Sequence, residues 1–206
     1  MILTEIKDLF ENKSIEKRID FIDNYNFVED LKNRKYFIEF LTTNDLCGNH
    51  WYDSQLIELA IDLNVKDNIL LKKYLDYLVN SNNYLIKLSV LDYIVEIGFI
   101  DNSIEKIHES LDNVLNSKYD RLIVKNQALL TLLMLDNKDM YKIQLITNLK
   151  KSKDYRSHIR LYNFIGNYMM EKLHPSYIMK LIEVSNSKDL GRAVEHAIDK
   201  VTKRLK

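Results

Sequence analysis

Apolar residues recur at helical spacing along almost the whole chain, and that rhythm restricts its fold more than any other feature. Ile86, Val90, Ile94 and Ile97 are separated by steps of four, four and three. Val124, Ala128, Leu132 and Leu135 repeat the pattern, and Ile69, Tyr74, Leu75 and Leu78 follow it more loosely. Such steps place side chains on one face of an α-helix, whereas a half-buried strand would alternate. Short polar breaks separate the segments: Asn80-Ser-Asn-Asn, Asp101-Asn-Ser, Asn116-Ser-Lys, Asp136-Asn-Lys-Asp, Lys151-Ser-Lys-Asp and Ser185-Asn-Ser-Lys-Asp. Each supplies Asn, Asp or Ser, which end one helix and cap the next. Four glycines and one proline in 206 residues are too few for the turns of a sheet protein.

The spacing predicts helices near 3–12, 14–24, 28–43, 53–64, 68–79, 83–98, 103–115, 119–135, 139–150, 154–170, 175–185 and 188–205. Connections are short, apart from a longer loop at 44–52, so neighbouring helices should pack antiparallel. Ser14 and Ser103 stand where a hydroxyl accepts from free amides, each followed by a glutamate in the positive first turn. Pro175 suits a first helical position, and Gly98 suits a left-handed C-terminal cap. No linker or low-complexity stretch interrupts residues 1–206, which read as a single domain.

Hydrophobic residues make up 46% of the chain, enough for a continuous core, and charged residues 29%. The net charge is zero, which argues against a dedicated nucleic-acid binder. The charge is uneven, however. Residues 1–137 hold 23 acidic and 15 basic side chains, and residues 138–206 hold 7 and 15. A field of that shape steers charged partners to one end. The single cysteine, Cys47, excludes an internal disulfide and fits a reducing compartment. The first residues form no secretory signal, and no apolar stretch approaches the length of a membrane span. A cytoplasmic location is therefore expected.

Self-similarity adds a second signal. Tyr84-Leu-Ile-Lys-Leu-Ser-Val-Leu-Asp-Tyr-Ile-Val-Glu-Ile-Gly98, Leu122-Ile-Val-Lys-Asn-Gln-Ala-Leu-Leu-Thr-Leu-Leu-Met-Leu-Asp136 and Ser157-His-Ile-Arg-Leu-Tyr-Asn-Phe-Ile-Gly-Asn-Tyr-Met169 share a β-branched residue followed by a base. Apolar positions then follow four and eight residues on. The pairs Ile86-Lys87, Val124-Lys125 and Ile159-Arg160 lie 38 and 35 residues apart, and Gly191-Arg192-Ala193-Val194 offers a weaker fourth copy. This resembles the second helix of HEAT-type or armadillo-type repeats over residues 68–205. The period is shorter than the usual HEAT unit of about 40–47 residues, and large residues such as Val90 and Tyr162 replace some small ones. Residues 1–67 are irregular helices that match poorly. The resemblance implies an all-α fold, a right-handed α-α superhelix of antiparallel helix pairs.

No CxxC pair, HExxH, P-loop or GxGxxG occurs, and the five histidines are scattered, so no metal, cofactor or catalytic residue is assigned. Cys47-Gly-Asn-His50 lacks a third orienting group, and an inert thiol is favoured over a Cys-His nucleophile. Trp51 and Tyr52 close the unusual 44–52 loop. They suit a partner contact, although for Trp51 a plug between the first helices and the repeats is the favoured reading. Lys87, Lys125 and Arg160 should occupy equivalent places on successive second helices, with Arg121 and Arg156 one turn earlier. With Tyr155 and Arg192 they would form a basic stripe for an acidic partner. In HEAT-like arrays the equivalent base instead pairs with a neighbouring carboxylate.

The expected function is a non-enzymatic protein-binding scaffold, since a stacked helical array presents a large preformed surface. The chain is also similar, as a small, neutral repeat protein without a cofactor motif, to bacterial immunity proteins that plug a toxic nuclease. That resemblance implies a protein partner docked on the acidic part, with Asp20, Asp23, Glu29 and Asp30 as an example cluster. The alternatives are a HEAT-like DNA-repair glycosylase, opposed by a basic balance confined to the last third, and an adaptor in a larger complex. The oligomeric state stays open.

Overall fold

The computed structural model describes residues 2–27, 29–30, 32–97 and 103–205, so the expected cap at Gly98 lies outside the described residues. Among these residues there are twelve α-helices and no strand. They are α1 (Leu3–Asn12), α2 (Ile15–Asn24), α3 (Arg34–Thr43), α4 (His50–Asp62), α5 (Asn68–Asn80), α6 (Tyr84–Ile97), α7 (Ile104–Asn116), α8 (Leu122–Asp136), α9 (Asp139–Lys151), α10 (Tyr155–Phe164), α11 (Pro175–Asn186) and α12 (Arg192–Arg204). No described helix is long and apolar enough to cross a membrane.

The chain divides into two compact units, Met1–Ser110 and Leu111–Lys206. The charge divides with them. The first holds 20 acidic and 12 basic side chains, the second 10 and 18. In the N-terminal unit α6 packs on both α4 and α5, α4 on α2, and α3 on α4 and α5. In the C-terminal unit α8 packs on α9 and α10, α10 on α12, and α9 on α11. The packed pairs are thus sequence neighbours or helices two places apart, a pattern compatible with a helical repeat. A helix covered from several sides must be apolar around most of its circumference. Accordingly α6 buries Ile86, Leu88, Val90, Leu91, Tyr93, Ile94, Val95 and Ile97, and α8 buries Ile123, Val124 and nearly everything from Asn126 to Leu133. By contrast α12 buries one stripe, Val194, Ala197, Ile198 and Val201, and is polar elsewhere.

Scarce glycine leaves the C-terminal carbonyls of most helices without the usual cap, and side chains take its place. Asn64 and Asn137 adopt the left-handed conformation, with φ of 48° and 49°, after α4 and α8. Cations do the rest, since Lys and Arg donate to the last carbonyls and oppose the negative helix end. Arg18 donates to Lys13 O after α1 at 3.0 Å, Lys73 to Leu41 O in α3 at 2.6 Å, and Arg34 to Leu63 O after α4. Lys87 donates to Val79 O in α5 at 3.3 Å, Lys125 to Leu115 O in α7 at 2.9 Å, and Lys188 to Lys150 O in α9 at 2.8 Å.

The differences from the expected helices have local causes. α3 begins at Arg34 rather than near 28. Asp30 accepts from the Asn33 amide at 3.2 Å and from the Asn33 and Tyr25 side chains, and these bonds hold the preceding chain in a turn. α4 begins at His50 because the Asn49 side chain caps the Tyr52 amide at 3.2 Å. Ser14 precedes α2 as expected, but its hydroxyl accepts from no helix amide. It bonds the Glu16 carboxylate instead and helps hold it below its ordinary range, after the larger effect of the Glu16 backbone amide. Pro175 opens α11. The last turn of the 154–170 segment, Ile165–Met169, widens into a π-helix, with the Gly166 carbonyl receiving Arg204.

Candidate functional site

The acidic unit contains a cleft of about 470 Å³ between the end of α2 and one face of α4. Asp23, Tyr25 and Phe27 line it from the α2 side, and Gln55, Glu58, Leu59 and Asp62 from α4. Steps of three, one and three put these last four side chains on a single helical face. Packing of α2 on α4 then brings Asp23 across from them. The Gln55 Nε2 donates to Asp23 Oδ1, tying the two walls together. Gln55 is only 7% exposed, and its Oε1 has no hydrogen-bond partner among the described residues. Asp62 is exposed as a residue, yet desolvation around its carboxyl raises its pKa above the ordinary carboxylate value. Three carboxylates therefore line one cavity, an arrangement that favours a cation with several donors.

Of the acidic residues singled out from sequence, Asp23 lines this cleft. Asp20 lies nearly one turn earlier on α2 and accepts from Asn24. Asp30 is committed to Tyr25 and Asn33, whose bonds hold its carboxyl below the usual range, the Tyr25 hydroxyl contributing most. Glu29 is exposed in the same turn, its amide donating to Asn26. Glu58 and Asp62 escaped the sequence reading, although Gln55, Glu58 and Asp62 already share a polar helical face in the sequence.

The 44–52 segment is shorter as a loop than expected, and Trp51 and Tyr52 belong to the first turn of α4. Trp51 is 59% exposed and does not plug the core. Tyr52, 2% exposed, fills that role beneath the Arg18 guanidinium, 5.9 Å from its ring centroid. The loop is pinned by Asp53, a fully buried carboxylate whose two oxygens accept from the amides of Cys47 and Gly48 at 2.9 Å each. Gly48 allows the turn, with φ of +87°. The Cys47 thiol is exposed, and desolvation pushes its pKa up, opposing thiolate formation.

The basic positions separate into two groups. The Lys87 and Lys125 ammoniums are drawn inward to helix-end carbonyls, and Lys87 is 4% exposed. Arg160 is half-buried in α10. Arg121 precedes α8, Tyr155 and Arg156 open α10, and Arg192 opens α12, all exposed. The Arg156 guanidinium lies 5.7 Å from the Tyr155 ring centroid.

A buried polar chain in the second unit involves residues of catalytic type. The Tyr162 hydroxyl donates to Leu181 O at 2.8 Å, so its oxygen accepts from Ser185 Oγ at 2.7 Å. Ser185 Oγ also meets His158 Nδ1 at 2.8 Å, and His158 Nε2 lies 3.4 Å from the Ser152 carbonyl. All three residues are at most 1% exposed, so this is internal satisfaction of polar groups. Among the described residues no group of three His, Cys, Asp or Glu side chains is arranged to hold a metal ion.

No protein-family model matches the chain, and no curated protein or solved structure is similar enough to count as a relative.

Proposed function

We propose that this chain is a helical protein-binding scaffold that engages a basic partner through the acidic cleft of its N-terminal unit. The observation that supports this most directly is the convergence of Asp23, Glu58 and Asp62 on one cavity, in a unit with eight more acidic than basic side chains. A negative, concave surface speeds encounter with cationic partners and repels anionic ones. Exposed Trp51, at the start of the same helix α4, offers an aromatic anchor of the kind that dominates binding energy in protein interfaces. In this reading the helices form a HEAT-like stack, and the partner is a basic protein such as a nuclease toxin that the chain neutralises by occupying its nucleic-acid groove.

The test is capture of partners from cells of the source organism with the immobilised chain, followed by mass spectrometry. A parallel capture uses Glu58→Lys with Asp62→Lys. A basic protein retained by the native chain and lost from the charge-reversed one is the expected result. Equal retention by both removes the cleft from the interface.

A second reading, nucleic-acid binding of the glycosylase type, draws on the C-terminal unit, where basic side chains exceed acidic ones by eight and Arg121, Tyr155 and Arg156 are exposed. It requires duplex DNA binding that weakens steeply with salt. A gel-shift series across salt concentrations separates it from the scaffold reading, which expects no shift.

A further inference from the structure

A second cavity of the N-terminal unit shares no lining residue with the acidic cleft and has the opposite character. It measures about 460 Å³. Ile69, Leu71, Lys72 and Leu75 line it from α5, and Ser103 and Lys106 from the start of α7. Leu71, Lys72 and Leu75, spaced by one and three residues, share one face of α5. Ile69 is 69% exposed, so much of its aliphatic surface stays in water. Lys72 and Lys106 are exposed, and neither is paired with a carboxylate among the described residues. The surrounding unit holds 20 acidic and 12 basic side chains. Two unpaired cations on one cavity therefore mark a local positive site on an otherwise negative body, and such a site attracts an anionic group.

Cavities of this size, apolar with a few polar groups that fix orientation, suit small ligands. The side chains of Ile69, Leu71 and Leu75 neither donate nor accept a hydrogen bond, so the part of a ligand against them should carry no polar group. A peptide laid there would bring backbone amides and carbonyls that lose water without gaining partners, which is costly. An alkyl chain brings none. We infer that this cavity is a binding site for an aliphatic monocarboxylate of medium chain length, with its alkyl chain against Ile69, Leu71 and Leu75 and its carboxylate paired with Lys72 and Lys106. Such a ligand would take the exposed side of Ile69 out of water. The site is independent of the basic partner proposed for the acidic cleft.

The test titrates the full-length, isotope-labelled chain with decanoate below its micelle-forming concentration, and in parallel with hexanoate, decyltrimethylammonium and the peptide acetyl-Gly-Leu-Leu with a free C-terminal carboxylate. Amide NMR shifts are the readout. Decanoate should bind saturably and shift residues 68–75 and 103–106. Its affinity should exceed that of hexanoate by about tenfold, the gain expected from burying two further methylenes. Lys72→Gln with Lys106→Gln should lower the decanoate affinity about fivefold, as two exposed ion pairs are lost, and should leave decyltrimethylammonium no weaker. Ile69→Ser should lower the affinity of decanoate more than that of hexanoate. All three positions are exposed, so the variants keep the fold. Decyltrimethylammonium binding as tightly as decanoate overturns the carboxylate assignment, and hexanoate doing so overturns the role of the alkyl chain. The peptide binding as tightly as decanoate makes a protein C-terminus the occupant and overturns the inference. Absence of saturable shifts at residues 68–75 and 103–106 overturns it as well.

Discussion

Lys87 and Lys125 occupy the same fourth position of α6 and α8, and each sends its ammonium back to the final carbonyls of the helix before it. The 38-residue spacing between them is therefore the spacing of two like hairpins. It reflects a capping requirement in a chain with few glycines. A cation at the negative helix end satisfies orphan carbonyls and lowers the electrostatic cost of the terminus together.

Replacing Lys125 with Met keeps the aliphatic stem and removes the donor to Leu115 and Ser117. The expected loss is about 1.5–3 kcal/mol, the value of a hydrogen bond to a charged group. Urea unfolding followed by circular dichroism measures it. A change within about 0.5 kcal/mol, the range of ordinary surface substitutions, would show that the carbonyls are satisfied without the lysine.

Asp53 pins the loop before α4, and its substitution by Ala should leave the Cys47 and Gly48 amides without acceptors. A destabilisation of about 2–3 kcal/mol follows from losing charge-assisted bonds at a buried site. Hydrogen exchange should accelerate at those two loop amides more than at the amides of α4. Asn at position 53 preserves one acceptor oxygen and should protect only one of the two amides.

His158 makes stability depend on mild acid. Burial, the largest effect, lowers its pKa below the ordinary 6.5, and nearby Lys188 acts in the same direction. The unfolded chain therefore takes up a proton at a pH where the folded chain resists it. Stability is full above about pH 6.5 and declines as the pH falls from there toward the folded-state value. His158→Gln, which keeps a polar contact to Ser185, should flatten that segment of the stability profile. An unchanged slope between pH 6.5 and 5 in the variant would assign the acid sensitivity to other groups.

The helices were legible in sequence because their apolar periodicity is local, and twelve segments emerge at nearly the expected places. What escaped depends on non-local packing or on a single cap. Trp51 and Tyr52 exchange their expected environments because the Asn49 cap starts α4 three residues early and fixes which side of the helix each one faces. The acidic cleft is half visible, since Gln55, Glu58, Leu59 and Asp62 declare a shared face by spacing. Asp23 joins them only through the packing of α2 on α4, which no local pattern encodes. The basic stripe has the reverse history: the regularity of Lys87 and Lys125 is real, and its physical basis includes the carbonyls of the preceding helices.

Asp62 gives the cleft a signature in stability. Desolvation raises its carboxyl above the ordinary 3.8, so the folded chain holds a proton there at pH values where the unfolded chain has released it. The folded state then binds more protons between the unfolded and folded values, and stability falls as pH rises through that window. At neutral pH the ionised Asp62 is a burden on the free protein, offset when a cation binds. Asp62→Asn should therefore raise the thermal midpoint of the free chain at pH 7, with the gain vanishing below about pH 3.8, where both states of the native residue are protonated. The same substitution should weaken capture of a basic partner. Thermal unfolding at the two pH values, paired with partner capture, checks both arms. A variant less stable at pH 7 would mean that the Asp62 carboxylate serves the fold, and that the cleft keeps its charge for structure rather than for binding.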